Sequence, residues 1–187
     1  MDTAKPETLP AVNGNEVEAN GEQDAAAYHR NAITSLKDGS LFIKHAFIDG
    51  QWVQKEKTFP VYEPSTGTVL GDVANCTLED FQTAIKSADI AQREFWATTT
   101  AAQRGGMLRR WFDLIMANQD DIGTILCLEN GKTLAEAKGE VAYAASFVSW
   151  FAEEATRAYG DTIPSSTPHT TVITFKEPVG VCGIITP

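Results

Sequence analysis

The chain has 187 residues, 43% of them hydrophobic, and a formal net charge of −10. That length admits one domain, or one and part of another, with enough apolar content for a core. An acidic surface repels phosphate backbones, which argues against a nucleic-acid partner.

Residues 1–30 hold Asp2, Glu7, Glu16, Glu18, Glu22 and Asp24 against Lys5 and Arg30, and no aromatic precedes Tyr28. Such a stretch cannot bury enough apolar surface to offset its ordering entropy, so it reads as a disordered extension. It has no apolar core of the secretory kind, and its first arginine is Arg30. No later run approaches the roughly 18 apolar residues of a membrane span, so the expected setting is cytoplasmic, with no membrane. Cys76, Cys127 and Cys182 are widely spaced, without a C-x-x-C pair or histidines at ligand spacing. Neither a disulfide framework nor a metal site is expected from them.

Residues 31–187 form the expected domain. Ala46-Phe47-Ile48, Asp49-Gly50 and Gln51-Trp52-Val53 read as strand, tight turn and strand. Phe59 to Tyr62 and Val69 to Val73 flank the turn formers Pro64 and Ser65-Thr66-Gly67, giving a small β meander. Thr77 with Asp80 opens a helix whose apolar face is Leu78, Phe81, Ile85 and Ala88. Thr100 with Gln103 opens another, carrying Met107, Leu108, Trp111, Leu114 and Ile115. A third spans about 120–129 and ends at Asn130-Gly131, where left-handed residues belong. Thr133 with Glu136 opens the longest, with a stripe of Val141, Ala144, Ala145, Val148, Phe151, Ala152 and Ala155. Gly139 costs that helix about 1 kcal/mol relative to alanine, which points to close packing there. Thr170 to Phe175 reads as a β-branched strand. Val179-Gly180-Val181-Cys182-Gly183-Ile184-Ile185-Thr186-Pro187 reads as a strand buried in a parallel sheet. No later strand exists to sit beside it, and the chain reads as the front piece of something larger.

Isolated features have plain explanations. His29, His45 and His169 lack partner carboxylates, and they read as surface residues. Asp120-Asp121 and Glu153-Glu154 diverge by about a hundred degrees on a helix and read as solvated faces. Arg109 and Arg110 read as snorkelling beside a core Trp111. Cys182, in the terminal strand, reads as a buried structural thiol. Gly180 and Gly183 fall short of a full G-x-G-x-x-G fingerprint.

Four blocks together carry a resemblance: Phe47-Ile48-Asp49-Gly50-Gln51-Trp52, Glu63-Pro64-Ser65-Thr66-Gly67, Leu128-Glu129-Asn130-Gly131-Lys132, and Glu177-Pro178-Val179-Gly180-Val181 running to Ile185-Thr186-Pro187. In that order they resemble the amino-terminal part of the aldehyde dehydrogenase superfamily. Residues 134–140, 151–154 and 159–164 look most like its succinate-semialdehyde group. The resemblance implies an incomplete α/β fold: a small β meander, several helices, oligomerisation strands at about 165–178, and the first strand of the cofactor-binding sheet. It implies oxidation of succinate semialdehyde to succinate, in 4-aminobutyrate catabolism, by a homo-oligomer using NAD or NADP. In that family a cysteine thiolate attacks the aldehyde, an asparagine amide and a backbone N–H hold the oxyanion, and a glutamate activates water. Those residues fall beyond Pro187 in the family's pattern, and none of the three cysteines here matches the nucleophile. No catalytic residue is therefore expected in this chain, and the chain alone is expected to be inactive. Ile185, Thr186 and Pro187 match a strand end that borders the nicotinamide side of the cofactor. Two other readings stay open: a non-catalytic module pairing with full-length subunits, and part of a dehydrogenase for another aldehyde.

Overall fold

The structure is a computed structural model that describes residues 32–186. The expected disordered extension and Pro187 lie outside the described residues, Pro187 being one of the three expected cofactor-bordering positions.

β1 (Ala46–Ile48) and β2 (Gln51–Val53) pair antiparallel, Ala46 opposite Val53. Asp49 and Gly50 both take positive φ, 52° and 73°, the geometry of a two-residue hairpin turn whose twist matches the strands. β3 (Thr58–Tyr62) and β4 (Val69–Ala74) form a second antiparallel pair, with a register shift between Val61 and Tyr62. The expected meander is instead two separate hairpins. The Ala74 N–H at the end of β4 donates to the carbonyl of Lys44, two residues before β1, at 2.9 Å. Strands as short as β1 and β2 offer too few ladder positions to propagate a sheet.

Four helices follow: α1 (Leu78–Thr98), α2 (Ala101–Ala117), α3 (Gln119–Asn130) and α4 (Leu134–Glu154). The three expected capping boxes all form. Thr77, Thr100 and Thr133 each accept from the backbone N–H three residues on, and Asp80, Gln103 and Glu136 each reach back to the capping residue's N–H. α3 needs no such device, because it follows α2 through Asn118 alone.

The core has two parts. Phe42, Leu70 and Leu128 are buried together, with Val61 and Ile125 against them, which fastens the second hairpin to the end of α3. Elsewhere α4 packs on α2 and α3 through a face of Ala137, Val141 and Ala145, all buried. Close approach is set by Gly105 and Gly123. A Cβ on Gly105 would lie 2.7 Å from the Ala152 carbonyl, and one on Gly123 would lie 2.8 Å from Lys138 Cγ. Gly139, where close packing was expected, has nothing within 4 Å of its Cβ position.

Other expectations are corrected. Leu78, Phe81 and Ile85 on α1, and Trp111 and Leu114 on α2, are exposed, so Trp111 is not a core tryptophan. Periodicity marks a face that can be buried, and the described residues provide no element to cover these. The strand expected over 170–175 is the two-residue β6 (Val172–Ile173), paired antiparallel with β5 (Thr162–Ile163). Residues 179–186 form no strand, and Cys182 is exposed rather than buried. A buried strand requires neighbours for its backbone groups, and none of the described strands lies beside it.

The glycine crossings yield a paired prediction. Gly105→Ala should destabilise the chain by about 1–3 kcal/mol by forcing α2 from α4. Gly106→Ala, with open space at its Cβ, should stabilise it by up to about 1 kcal/mol through helix propensity. Urea unfolding of both variants measures the two signs.

Candidate functional site

The second and third blocks of the resemblance, far apart in sequence, meet in space. Glu63 follows β3 and begins the turn to β4, closed by Gly67 N–H donating to the Glu63 carbonyl at 2.9 Å and Glu63 N–H donating to the Thr68 carbonyl at 2.8 Å. Its side chain turns inward and accepts from the Ser65 N–H at 2.9 Å, the Ser65 hydroxyl at 2.7 Å, the Thr66 N–H at 2.7 Å and the Thr66 hydroxyl at 2.6 Å. Glu63 is only 2% exposed. Burial pushes its carboxyl up, but the Thr66 and Ser65 hydroxyls and their backbone N–H groups together bring it down to about 2.

That turn fixes the Pro64 ring against Gly131. Gly131 closes α3 at φ 80°, its N–H donating to the Cys127 carbonyl at 2.9 Å. A Cβ there would meet Pro64 Cγ at 2.8 Å, so glycine is required by both backbone and neighbour. Beyond it the Cys127 thiol donates to the Lys132 carbonyl at 3.1 Å, and Lys132 pairs with Glu140 of α4. The junction therefore locks the second hairpin, the end of α3 and the start of α4 into one unit.

Asp120 and Asp121, expected on a solvated face, divide their roles. Asp121 is 7% exposed and accepts from the backbone N–H groups of Lys37 at 3.2 Å and Asp38 at 2.8 Å, docking the segment before the first hairpin on α3. Asp120 pairs with Lys37 at 3.1 Å and Lys138 at 2.8 Å. Glu153 pairs with Arg109, which also donates to the Ser149 hydroxyl at 3.1 Å. Beside α2, α3 and α4 an open groove of roughly 460 Å³ is lined by Trp111, Ile115, Ile125, Leu126, Glu129 and Val141. Partial desolvation at the groove's edge raises the Glu129 carboxyl above its ordinary range. Among the described residues no group of three His, Cys, Asp or Glu could hold a metal ion. No described helix is long and apolar enough to cross a membrane.

Of the expected cofactor-bordering positions, Ile185 is fully exposed and Thr186 is exposed.

The model of the aldehyde dehydrogenase family matches residues 52–187. The chain belongs to the aldehyde dehydrogenase family. It is 48% identical over 154 residues to the glutarate-semialdehyde dehydrogenase of Pseudomonas aeruginosa, covering 81% of this chain and 32% of that protein. It is 44% identical over 154 residues to an NADP(+) succinate-semialdehyde dehydrogenase of Escherichia coli, with the same two coverages. Among solved structures, a succinate-semialdehyde dehydrogenase from Burkholderia pseudomallei superposes with a TM-score of 0.75 at 47% identity, covering 79% of this chain and 31% of that one. The chain thus spans about a third of the length of the curated relatives it matches. The resemblance carried by the four blocks is borne out; one of these relatives is named for glutarate semialdehyde and the other two for succinate semialdehyde.

The Glu63 carboxylate sets a pH dependence. Its folded value lies below the ordinary 4.5, so the stability it contributes is fully present above pH 4.5 and is lost as pH falls towards about 2. Glu63→Gln should cost about 2 kcal/mol at pH 7 and flatten the decline through this acid window. Urea midpoints taken against pH for both proteins measure this.

Proposed function

We propose that the chain is the amino-terminal part of an NAD(P)-dependent dehydrogenase whose longer form oxidises a semialdehyde with a carboxylate tail, succinate semialdehyde to succinate in 4-aminobutyrate catabolism. The observation that carries this reading is the 44–48% identity, over 154 residues, to proteins named for succinate and glutarate semialdehydes. The Pro64–Gly131 junction supports it, because two blocks quoted for the resemblance form one packed unit. In this reading Ile185, Thr186 and Pro187 border the nicotinamide side of the cofactor, and the longer form works as a homo-oligomer in the cytoplasm. Residues 165–178, with β6 inside them, belong to the strands that join subunits.

The 187-residue chain alone is inactive in this reading. Cys127 donates its thiol proton to the Lys132 carbonyl, and Cys182 stands exposed with its thiol turned to the Gly180 carbonyl at 3.8 Å. Nucleophilic catalysis needs a thiol beside a base or in a site that favours the thiolate.

Two assays decide the matter. Purified 187-residue chain, given succinate semialdehyde with NAD+ or NADP+, should show no absorbance rise at the reduced-nicotinamide band above a protein-free control. Turnover would contradict the inactivity. The product of the transcript read across the Pro187 codon should oxidise succinate or glutarate semialdehyde in preference to an uncharged aliphatic aldehyde. The opposite preference would contradict the substrate class.

A further inference from the structure

Asparagine followed by glycine is a chemically weak point in a polypeptide. The asparagine amide carbon lies within reach of the next backbone nitrogen, and glycine has no side chain to hinder ring closure. Asparagine is accordingly one of the thermolabile residues that proteins of hot environments carry less of. Three such dipeptides occur in the sequence: Asn13-Gly14, Asn20-Gly21 and Asn130-Gly131. The first two lie outside the described residues. The third ends α3, and both of its residues are exposed to solvent. What holds it is the backbone. The Gly131 N–H donates to the Cys127 carbonyl at 2.9 Å, and Gly131 is packed under the Pro64 ring so closely that a Cβ would meet Pro64 Cγ at 2.8 Å. A nitrogen whose proton is held by a carbonyl, in a residue pinned by a ring, is not free to lose that proton and swing onto the Asn130 amide carbon.

We propose that Asn130-Gly131 is a modification site which the assembled Pro64–Gly131 junction keeps shut, and that succinimide formation there is a covalent latch that holds the junction open once it has opened. Opening withdraws the Pro64 ring and frees the Gly131 N–H. The Gly131 nitrogen then gives up its proton and attacks Asn130 Cγ. The N–Cγ bond forms, the Cγ–Nδ2 bond breaks, and the amide group leaves with that proton as ammonia. Water opens the ring at either carbonyl and leaves aspartate or isoaspartate, with no oxidant, metal or second protein required. Either product puts a carboxylate beside Glu129 at the end of α3, where the helix dipole disfavours negative charge. Isoaspartate also routes the chain through the side-chain methylene, adding one backbone atom between the Cys127 carbonyl and the Gly131 N–H that must meet it. A glycine fixed at once by that hydrogen bond and by the Pro64 ring does not accommodate the added atom.

The test follows deamidation at all three dipeptides by peptide mass spectrometry, in the purified 187-residue chain held at mildly alkaline pH with a thiol reductant. Asn13-Gly14 and Asn20-Gly21 serve as internal clocks for the intrinsic chemistry. Relative to them, conversion at Asn130 should be at least about tenfold slower in buffer than in urea above the unfolding transition. Glu63→Gln, which loosens the turn that places Pro64, should speed Asn130 by about tenfold or more and leave the clocks unchanged. Equal relative rates in buffer and urea overturn the proposal, as does an equal acceleration of all three sites by Glu63→Gln. The urea comparison needs no variant and decides alone if Glu63→Gln does not fold. The latch is read by refolding. After ageing in urea and dilution, the share of chain that refolds should fall in step with the share of Asn130 converted. Asn130→Gln, whose longer side chain closes the ring poorly, should refold without that loss. Equal losses in both chains overturn the latch, by showing that Asn130 does not decide whether the junction re-forms.

Discussion

The contact of Pro64 with Gly131 is the constraint from which the rest of the unit follows. The left-handed backbone at Gly131 ends α3 and releases the chain so that Thr133, two residues on, can cap α4. The Pro64 ring leaves no room for a side chain at that position. Its own placement depends on the Glu63 carboxylate, which gathers the Ser65 and Thr66 donors and stiffens the turn. Leu128, one turn earlier on α3, then falls into the core with Phe42 and Leu70. A buried carboxylate that gathers the Ser65 and Thr66 donors is tolerable where an unpaired one is not, so the turn and the core support each other.

Around this junction the helices follow a simple division of side chains. Small residues face inward: Gly105, Gly123, Ala137 and Ala145 let backbones approach, and Val141 fills the space between them. Large residues face outward, among them Trp111 on α2 and Trp150 on α4. Exposed rings in this number are more than the scattered apolar side chains of an ordinary surface.

Features governed by local rules are legible in the amino-acid sequence. The capping boxes at Thr77, Thr100 and Thr133, the Asp49-Gly50 turn and the stop at Gly131 involve residues no more than four apart, so adjacent letters suffice to specify them. Long-range features are not legible in this way. Asp121 has the sequence signature of a solvated helix face, because its partners, the Lys37 and Asp38 amides, lie 84 and 83 residues away. Gly139 and Gly105 look alike in sequence, since both sit in helices, and only the crossing with Ala152 makes Gly105 the packing glycine. Glu63 does carry a local signal of its role: a carboxylate followed directly by proline, serine and threonine, with donors two and three residues on. The strand expected at 179–187 fits the pattern for burial, yet residues 179–186 find no neighbour among the described residues.

The central claim is that the Pro64–Gly131 junction and the α2–α3–α4 crossings form one stable unit, and that residues 179–186, which form no strand, lie outside it. Amide hydrogen exchange on the purified 187-residue chain tests it most directly. The account predicts slow, matched exchange at Ser65, Thr66, Gly67 and Gly131 together with the α4 amides from Val141 to Ala145, and near-unprotected exchange from Val179 to Thr186. Fast exchange at Gly131 and Thr66 beside a protected Val179–Thr186 segment would contradict it.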